Sequence, residues 1–210
     1  MTRILIADDH AVVRRGLKQI LYEAFPFAHL EEATDTAELL KKIREQQWDM
    51  VISDLSMPGE NVLDAVRRIK QDFPKLPVLV LSIYPEELYA IRSIKAGASG
   101  YLRKNSHPDI LLDAVRKVLS GKRYITPQVA EKLAATVGKY GAKAPHEILS
   151  DREFEIFKLI ASGKTVSEIA GNFSLSVSTI STYRTRILTK MNRKTNADLT
   201  LYAMEHKLLE

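Results

Sequence analysis

The sequence contains no cysteine and no apolar run long enough to cross a membrane. The missing cysteines exclude a disulfide scaffold, a Cys-ligated zinc site and thiol catalysis. Their absence fits a reducing compartment, and we expect a cytoplasmic protein. No apolar run approaches the roughly 18 residues of a membrane-spanning helix. The short apolar run before Asp8 is not expected to act as a signal peptide, so we expect no membrane partner.

Acidic residues are missing from one stretch near the end of the chain. The 210 residues carry a formal charge of +5, which permits a nucleic-acid partner without demanding one. Between Val177 and Lys194, however, no residue is acidic, and the basic ones are Arg184, Arg186, Lys190, Arg193 and Lys194. The length and a hydrophobic content of 45% suit one large domain or two small ones.

The first part of the chain alternates short apolar runs with helical patterns. Strands are predicted near 3–7, 29–33, 49–53, 77–81 and 99–102. Helices are predicted at about 10–24, 35–46, 61–73, 86–96 and 107–120. Because continuous apolar runs that alternate with helices are typical of buried parallel strands, we expect an α/β domain built on a five-stranded, doubly wound parallel sheet.

The rest of the chain shows only helical patterns. Thr126 and Pro127 begin a short helix that runs to about Val137, and 138–145 is predicted to be a flexible tether. Later helices are predicted to begin at Ser150, Thr165, Ser176 and Thr195, the first two with capping boxes. We expect a first domain at 1–122, a linker helix and tether at 123–147, and a small all-α domain at 148–210.

Polar residues follow several of the predicted strands. In open parallel sheets the carboxyl ends of the strands meet at one rim, where ligands bind. This rim would collect Asp8, Asp9, Asp54, Ser82 and Lys104. Clustered carboxylates repel one another, and Mg²⁺ relieves the repulsion with oxygen ligands. We predict Mg²⁺ bound by Asp8, Asp9, Asp54 and the carbonyl of Ser56, with Asp54 as a nucleophile toward phosphorus and Lys104 and Ser82 on the phosphoryl oxygens.

Taken singly, each of these residues has an ordinary explanation. Acids and hydroxyls after strands often cap helices, which would suffice for Asp54 or Ser82 alone. Lys104 alone would be a solvated surface lysine. The prediction therefore depends on their combination along successive strands.

This combination resembles the receiver domain of two-component response regulators of the NarL/FixJ type. The resemblance is carried by Asp8-Asp9, the segment Asp54-Leu55-Ser56-Met57-Pro58-Gly59, Ser82 and Gly100-Tyr101-Leu102-Arg103-Lys104. It implies a flavodoxin-like fold and a sensor histidine kinase that donates phosphoryl to Asp54. It also implies that Tyr101 moves inward as the switch aromatic. Without the resemblance, a tyrosine on an edge strand that packs on the last helix is an equal alternative. Many receivers carry proline after the lysine, with a cis peptide, whereas this chain has Asn105.

The helical end resembles the LuxR-type helix-turn-helix domain. Leu149–Glu153, Gly163–Thr165, Glu168–Ala170 and Leu175–Ile180 carry this resemblance. The helix-turn-helix motif consists of a short helix at about 166–173, a turn at Ser174 and a longer helix from 177. In this motif the second helix enters the major groove of DNA. One face of that helix carries Ile180, Tyr183, Ile187 and Met191, which should pack on the domain core.

The opposite face is predicted to contact double-stranded DNA. Its members are Ser178, Thr179, Ser181, Thr182, Arg184, Thr185, Arg186, Thr189 and Lys190. The cations would contact phosphates and the hydroxyls would meet base edges. Because Ser and Thr discriminate bases weakly, we expect specificity to depend on thymine methyl contacts, water or DNA shape. A merely soluble amphipathic helix is the alternative.

These features together predict a DNA-binding response regulator rather than an enzyme. By resemblance, phosphorylation of Asp54 would favour a homodimer that controls transcription, with the last helix, near 196–206, as a dimer contact. Two alternatives stay open. The acidic rim alone permits a phosphohydrolase, although no substrate-binding insertion or general base is evident. A regulator that acts through protein partners, without phosphorylation, is the other.

Overall fold

The computed structural model describes residues 1–137 and 144–209, which belong to two compact units, Met1–Lys139 and Tyr140–Glu210. The predicted tether falls largely on residues 138–143, which lie outside the described residues. Within the described ranges, every helix is too short or too polar to cross a membrane. The division into 1–122, 123–147 and 148–210 stays a prediction.

The first unit is built on a parallel sheet of five strands in the order β2-β1-β3-β4-β5. The strands are β1 (Arg3–Ala7), β2 (His29–Ala33), β3 (Met50–Asp54), β4 (Val78–Ser82) and β5 (Gly100–Arg103). All residues of β3 and β4 are buried, because helices cover both faces of the central strands. The α/β fold predicted from the apolar runs is therefore confirmed.

Each strand is followed by a helix, and a sixth helix follows the last of these. The helices are α1 (Ala11–Ala24), α2 (Thr36–Glu45), α3 (Val62–Asp72), α4 (Glu86–Ala96), α5 (Pro108–Leu119) and α6 (Pro127–Val137). Asp35 and Asn61 cap α2 and α3 by accepting backbone N–H groups of the first turn. Gly97 ends α4 with φ 105°, a left-handed conformation that favours glycine. One core cluster joins the sheet to α1 and α5 through residues such as Ile52 and Val115.

The segment after α5 is attached to the first unit. The Tyr124 N–H donates to the Ser99 carbonyl at 2.8 Å, and Tyr124 forms an isolated bridge with Gly100 beside β5. The Thr126 hydroxyl, at the start of α6, donates to Glu86 Oε1 at 2.6 Å. Helix α6 packs on α4, so the predicted linker helix belongs by its contacts to the first unit.

The second unit is all helical within its described residues, 144–209. After a 3₁₀ turn at Pro145–Ile148 come α7 (Asp151–Ala161), α8 (Val166–Phe173), α9 (Val177–Lys190) and α10 (Asn196–Glu205). The predicted capping boxes at Ser150 and Thr165 both form. Ser174 adopts φ 52° and ends α8, so the chain turns at once into α9. The predicted helix-turn-helix is therefore present.

Candidate functional site

The predicted acidic rim lies at the carboxyl ends of the strands. Strands β1 and β3 are neighbours at the point where the order of the sheet reverses, which opens a crevice above their ends. Asp8 follows β1, and Asp54 is the last residue of β3, still paired in register with Leu81 of β4. Lys104 follows β5, and its N–H donates to the Ser82 carbonyl at 2.8 Å. The topology thus brings residues distant in sequence to one edge.

At the centre of the rim, one ammonium group bridges two carboxylates. Lys104 Nζ lies 2.7 Å from Asp8 Oδ2 and 2.8 Å from Asp54 Oδ2. The side chains of Asp8 and Asp54 are 1% and 5% exposed, and that of Lys104 is 12% exposed. Because these charges are largely removed from water, their mutual attraction is stronger than that of a surface ion pair.

Asp54 is both buried and held in place. Its Oδ1 accepts the Leu55 N–H at 2.7 Å, and its own carbonyl accepts the Ser53 hydroxyl at 2.9 Å. Burial raises the pKa of Asp54, and the nearby Asp8 adds to this effect while Lys104 opposes it. Burial lowers the pKa of Lys104, but the hydrogen bonds and charges of Asp54 and Asp8 outweigh this cost and hold that pKa above its usual range.

The rim offers a set of oxygen ligands suited to a divalent cation. Ligand atoms of Asp8, Asp9, His10 and Asp54 all lie within 4.8 Å of one another. Carboxylate oxygens are the donors that Mg²⁺ prefers, so these residues fit the predicted ion. Ser56 is exposed in the loop that follows β3, where its carbonyl is the predicted further ligand.

His10 was not predicted as part of the site. Its Nδ1 lies 2.7 Å from Asp9 Oδ1 and 3.3 Å from Asp8 Oδ1, and its N–H donates to Asp8 Oδ1 at 2.8 Å. Its position directly after the acidic pair was the available signal. A ring nitrogen of His10 therefore belongs to the same cluster of ligand atoms as the carboxylates.

The predicted switch residues surround the loop between β4 and α4. Ser82 is fully buried, and its hydroxyl oxygen accepts the Tyr84 N–H at 3.1 Å. The Tyr101 hydroxyl donates to the Tyr84 carbonyl at 2.9 Å, and the Tyr101 ring is buried. Burial raises the pKa of Tyr101, so its hydroxyl stays protonated and available as a donor at neutral pH. Among the described residues no peptide bond is cis, and this includes the bond from Lys104 to Asn105.

The second unit presents α9 with one buried face and one open face. Ile180, Ile187 and Met191 are buried as predicted, and Tyr183 is half-buried. The predicted DNA contacts that are exposed are Ser178, Ser181, Thr182, Thr185, Arg186, Thr189 and Lys190, whereas Thr179 and Arg184 are half-buried.

Two of the cations on α9 already have partners within the unit. Arg184 Nε donates to Asn196 Oδ1 at 2.6 Å, and Lys190 Nζ lies 2.6 Å from Glu153 Oε2. The carboxylate of Glu153 is buried, and it also accepts the Ser150 N–H in the capping box of α7. These contacts orient the two basic side chains, and they join α9 to α7 and to the start of α10.

Comparisons with known proteins agree with this geometry. The response regulator receiver domain matches residues 4–116, and the bacterial regulatory proteins of the luxR family match residues 147–203. Oxygen regulatory protein NreC of Staphylococcus carnosus is 40% identical over 215 residues, covering 99% of each chain. Response regulator GacA of Pseudomonas viridiflava is 33% identical over 211 residues, covering 100% of this chain and 99% of GacA.

A solved structure shows the same two-part architecture. This chain matches RcsB from Salmonella enterica serovar Typhimurium with a TM-score of 0.63 and 28% identity. In that structure RcsB is bound to promoter rprA in the presence of the phosphomimetic BeF3⁻. The match covers 96% of this chain and 98% of RcsB. The chain therefore belongs to the two-component response regulators, as a member in which a receiver domain is followed by a LuxR-type helix-turn-helix DNA-binding domain.

Proposed function

We propose that this response regulator accepts a phosphoryl group on Asp54 from a sensor histidine kinase, with Mg²⁺ bound beside it, and then controls transcription. The observation that supports this most strongly is the Lys104 ammonium between Asp8 and Asp54. A cation is already needed there to offset buried carboxylates, and the same cation can neutralise a phosphoryl group on Asp54.

The two carboxylate oxygens of Asp54 would have different roles, one holding the side chain in place and the other reacting with phosphorus. Oδ1 is fixed by the Leu55 N–H, while Oδ2 is the oxygen that faces Lys104. In the transfer, a carboxylate oxygen forms the new O–P bond as the P–N bond to the kinase histidine breaks. Asp8, Asp9, Asp54 and the Ser56 carbonyl would hold Mg²⁺, which when bound offsets negative charge on the carboxylates and the phosphoryl oxygens.

Ser82 and Tyr101 would report the new group to the surface of the domain. The Ser82 hydroxyl oxygen now accepts the Tyr84 N–H. If the Ser82 side chain rotates so that its hydroxyl donates to a phosphoryl oxygen, the hydroxyl oxygen moves away from the Tyr84 N–H. That hydrogen bond is then lost and the loop before α4 moves. Tyr101 contacts the same loop through the Tyr84 carbonyl. Ser82 and Tyr101 would therefore together decide whether the loop before α4 adopts its present conformation or the one that forms on phosphorylation.

The output would be DNA binding by the second unit. Helix α9 would enter the major groove, with its cations on phosphates and its hydroxyl-bearing face toward the bases. Phosphorylation would favour a cytoplasmic homodimer, with α10 as a contact in the DNA-binding domain. Two copies of α9 would then read half-sites about one helical turn apart.

The proposal is tested by DNA binding and sedimentation with and without acetyl phosphate and Mg²⁺. We expect the phosphodonor to increase both dimer formation and affinity for a mapped promoter site. The Asp54→Asn variant should show neither increase. The Asp64→Asn variant is the matched control, since Asp64 lies on α3 with 55% of its side chain exposed and should behave as the parent protein. Equal dimerisation and DNA affinity in all samples would contradict the proposal.

A further inference from the structure

Three threonines on the open face of α9 use their hydroxyl protons within the helix. The hydroxyls of Thr182, Thr185 and Thr189 lie 3.0, 3.1 and 3.0 Å from the carbonyl oxygens four residues earlier. Because a carbonyl oxygen can only accept, each threonine must be the donor. All three side chains are exposed, and their spacing places them along one side of the helix.

This arrangement limits what the threonines can offer a ligand. With the hydroxyl proton engaged, each side chain presents a methyl group and oxygen lone pairs, but no free donor. In the major groove guanine presents N7 and O6, which both require donors, whereas thymine presents its C5-methyl group. The stripe formed by Thr182, Thr185 and Thr189 is therefore poorly matched to guanine and well matched to thymine.

Two of the three long donors beside the stripe are committed elsewhere, whereas the third, Arg186, is exposed. Arg184 is hydrogen-bonded to Asn196, and Lys190 is paired with the buried Glu153. A base contact by either side chain would first break a contact within the domain. This cost favours phosphate contacts for Arg184 and Lys190, and it leaves the base edges in front of the stripe to the threonines.

We infer that Thr182, Thr185 and Thr189 are specificity-determining residues that select A·T base pairs through contact of their methyl groups with thymine methyl groups. The inference rests on the proposed DNA binding by α9. Burying one methyl group contributes about 0.8 kcal/mol, so each lost methyl contact should lower the affinity about fourfold.

The test begins with sites selected from random duplex DNA by the full-length protein treated with acetyl phosphate and Mg²⁺. Thymines of the selected site are replaced one at a time by uracil, which lacks only the methyl group. We expect about a fourfold loss at contacted positions and none at flanking thymines. In a second series, a contacted T·A pair is replaced by C·G, and the cytosine is then replaced by 5-methylcytosine. This base carries the methyl group at the same position as thymine, so it should recover part of the affinity that the C·G pair loses.

Paired substitutions in the protein separate the methyl group from the hydroxyl. Thr→Val at the three positions keeps a methyl and removes the hydroxyl, and we expect affinity within about twofold of the parent protein. Thr→Ser keeps the hydroxyl and removes the methyl, and we expect about a fourfold loss per position. Thermal unfolding of each variant verifies that the domain is folded at the assay temperature.

Each outcome separates this inference from the broader proposal. Loss of binding in the Val variants with retention in the Ser variants would overturn the inference, because the hydroxyl would then be read. Uracil substitution without effect, or guanine selected opposite the stripe, would also overturn it. Binding to duplex DNA with no sequence preference would reject this inference alone. No binding to any duplex at low salt would reject the proposed DNA-binding function itself.

Discussion

Replacing Lys104 by methionine should destabilise the receiver domain in the absence of divalent cations. The substitution keeps most of the apolar stem and removes the ammonium that lies within 2.8 Å of both Asp8 and Asp54. Two buried carboxylates would then face each other without a cation. Removing one partner of a buried ion pair typically costs about 3–5 kcal/mol, and we expect about 3 kcal/mol because Lys104 retains some contact with water.

The loss should be reversed by acid and by Mg²⁺. Burial already raises the pKa of Asp54 against the opposing effect of Lys104, so removing the lysine raises this pKa further. A carboxyl group whose pKa is higher in the folded state favours folding at low pH, and that contribution is lost as the pH rises through the folded pKa. The defect should therefore be smaller at pH 5 than at pH 8. Mg²⁺ at about 100 times its dissociation constant should restore about 2.7 kcal/mol.

Urea unfolding monitored by circular dichroism, in EDTA and in MgCl₂ at both pH values, measures these effects. The matched control is Lys41→Met, because Lys41 forms an exposed pair with Glu45 at 3.7 Å and should change the free energy of unfolding by less than about 1 kcal/mol. A Lys104→Met variant that is as stable as the parent in EDTA, or that gains nothing from Mg²⁺ and acid, would refute the reasoning.

Two further predictions concern other contacts. Glu153→Gln keeps an acceptor for the capping box but loses the charge of the pair with Lys190, and we expect about 1 kcal/mol of destabilisation at pH 7 in urea unfolding. Although burial raises the pKa of Glu153, Lys190 and the capping bonds hold it below its usual value, so the difference between variant and parent should be lost as the pH falls through that lowered pKa. At Gly59, which has φ 103°, an alanine Cβ would lie against the Thr36 hydroxyl, so Gly59→Ala should destabilise the receiver by about 1–3 kcal/mol in thermal unfolding. At Gly16, on α1, an added Cβ meets open space, so Gly16→Ala should stabilise the receiver by about 0.5–1 kcal/mol. Similar melting temperatures for the two alanine variants, or a Glu153→Gln difference that persists in acid, would contradict these arguments.

The sequence located the secondary structure almost to the residue. The first two strands were predicted at their observed bounds, and β3, β4 and β5 each begin and end one residue later than predicted. The predicted strands stopped before Asp54 and Ser82 because both side chains are polar. Backbone pairing depends on the main chain, and both residues remain in the ladder, opposite Leu81 and Arg103.

The acidic rim could be predicted because sheet topology alone decides where strand ends meet. Asp8, Asp54 and Lys104 lie together because the ends of parallel strands share an edge. The contacts that were missed depend on how side chains of different helices pack against each other. The apolar periodicity of a helix predicts which face is buried, but it does not predict which residues of two neighbouring helices meet. The pair of Lys190 with Glu153 and the hydrogen bond of Thr126 to Glu86 are of this kind.

Reductive trapping of the phosphorylated protein tests the central claim most directly. After treatment with acetyl phosphate and Mg²⁺, borohydride reduction converts an aspartyl phosphate to homoserine, which peptide mass analysis can locate in the sequence. We expect conversion at Asp54 alone, dependent on Mg²⁺ and absent from the Asp54→Asn variant. Homoserine at another aspartate, or no conversion at any position while the protein is folded and Mg²⁺ is present, would contradict it.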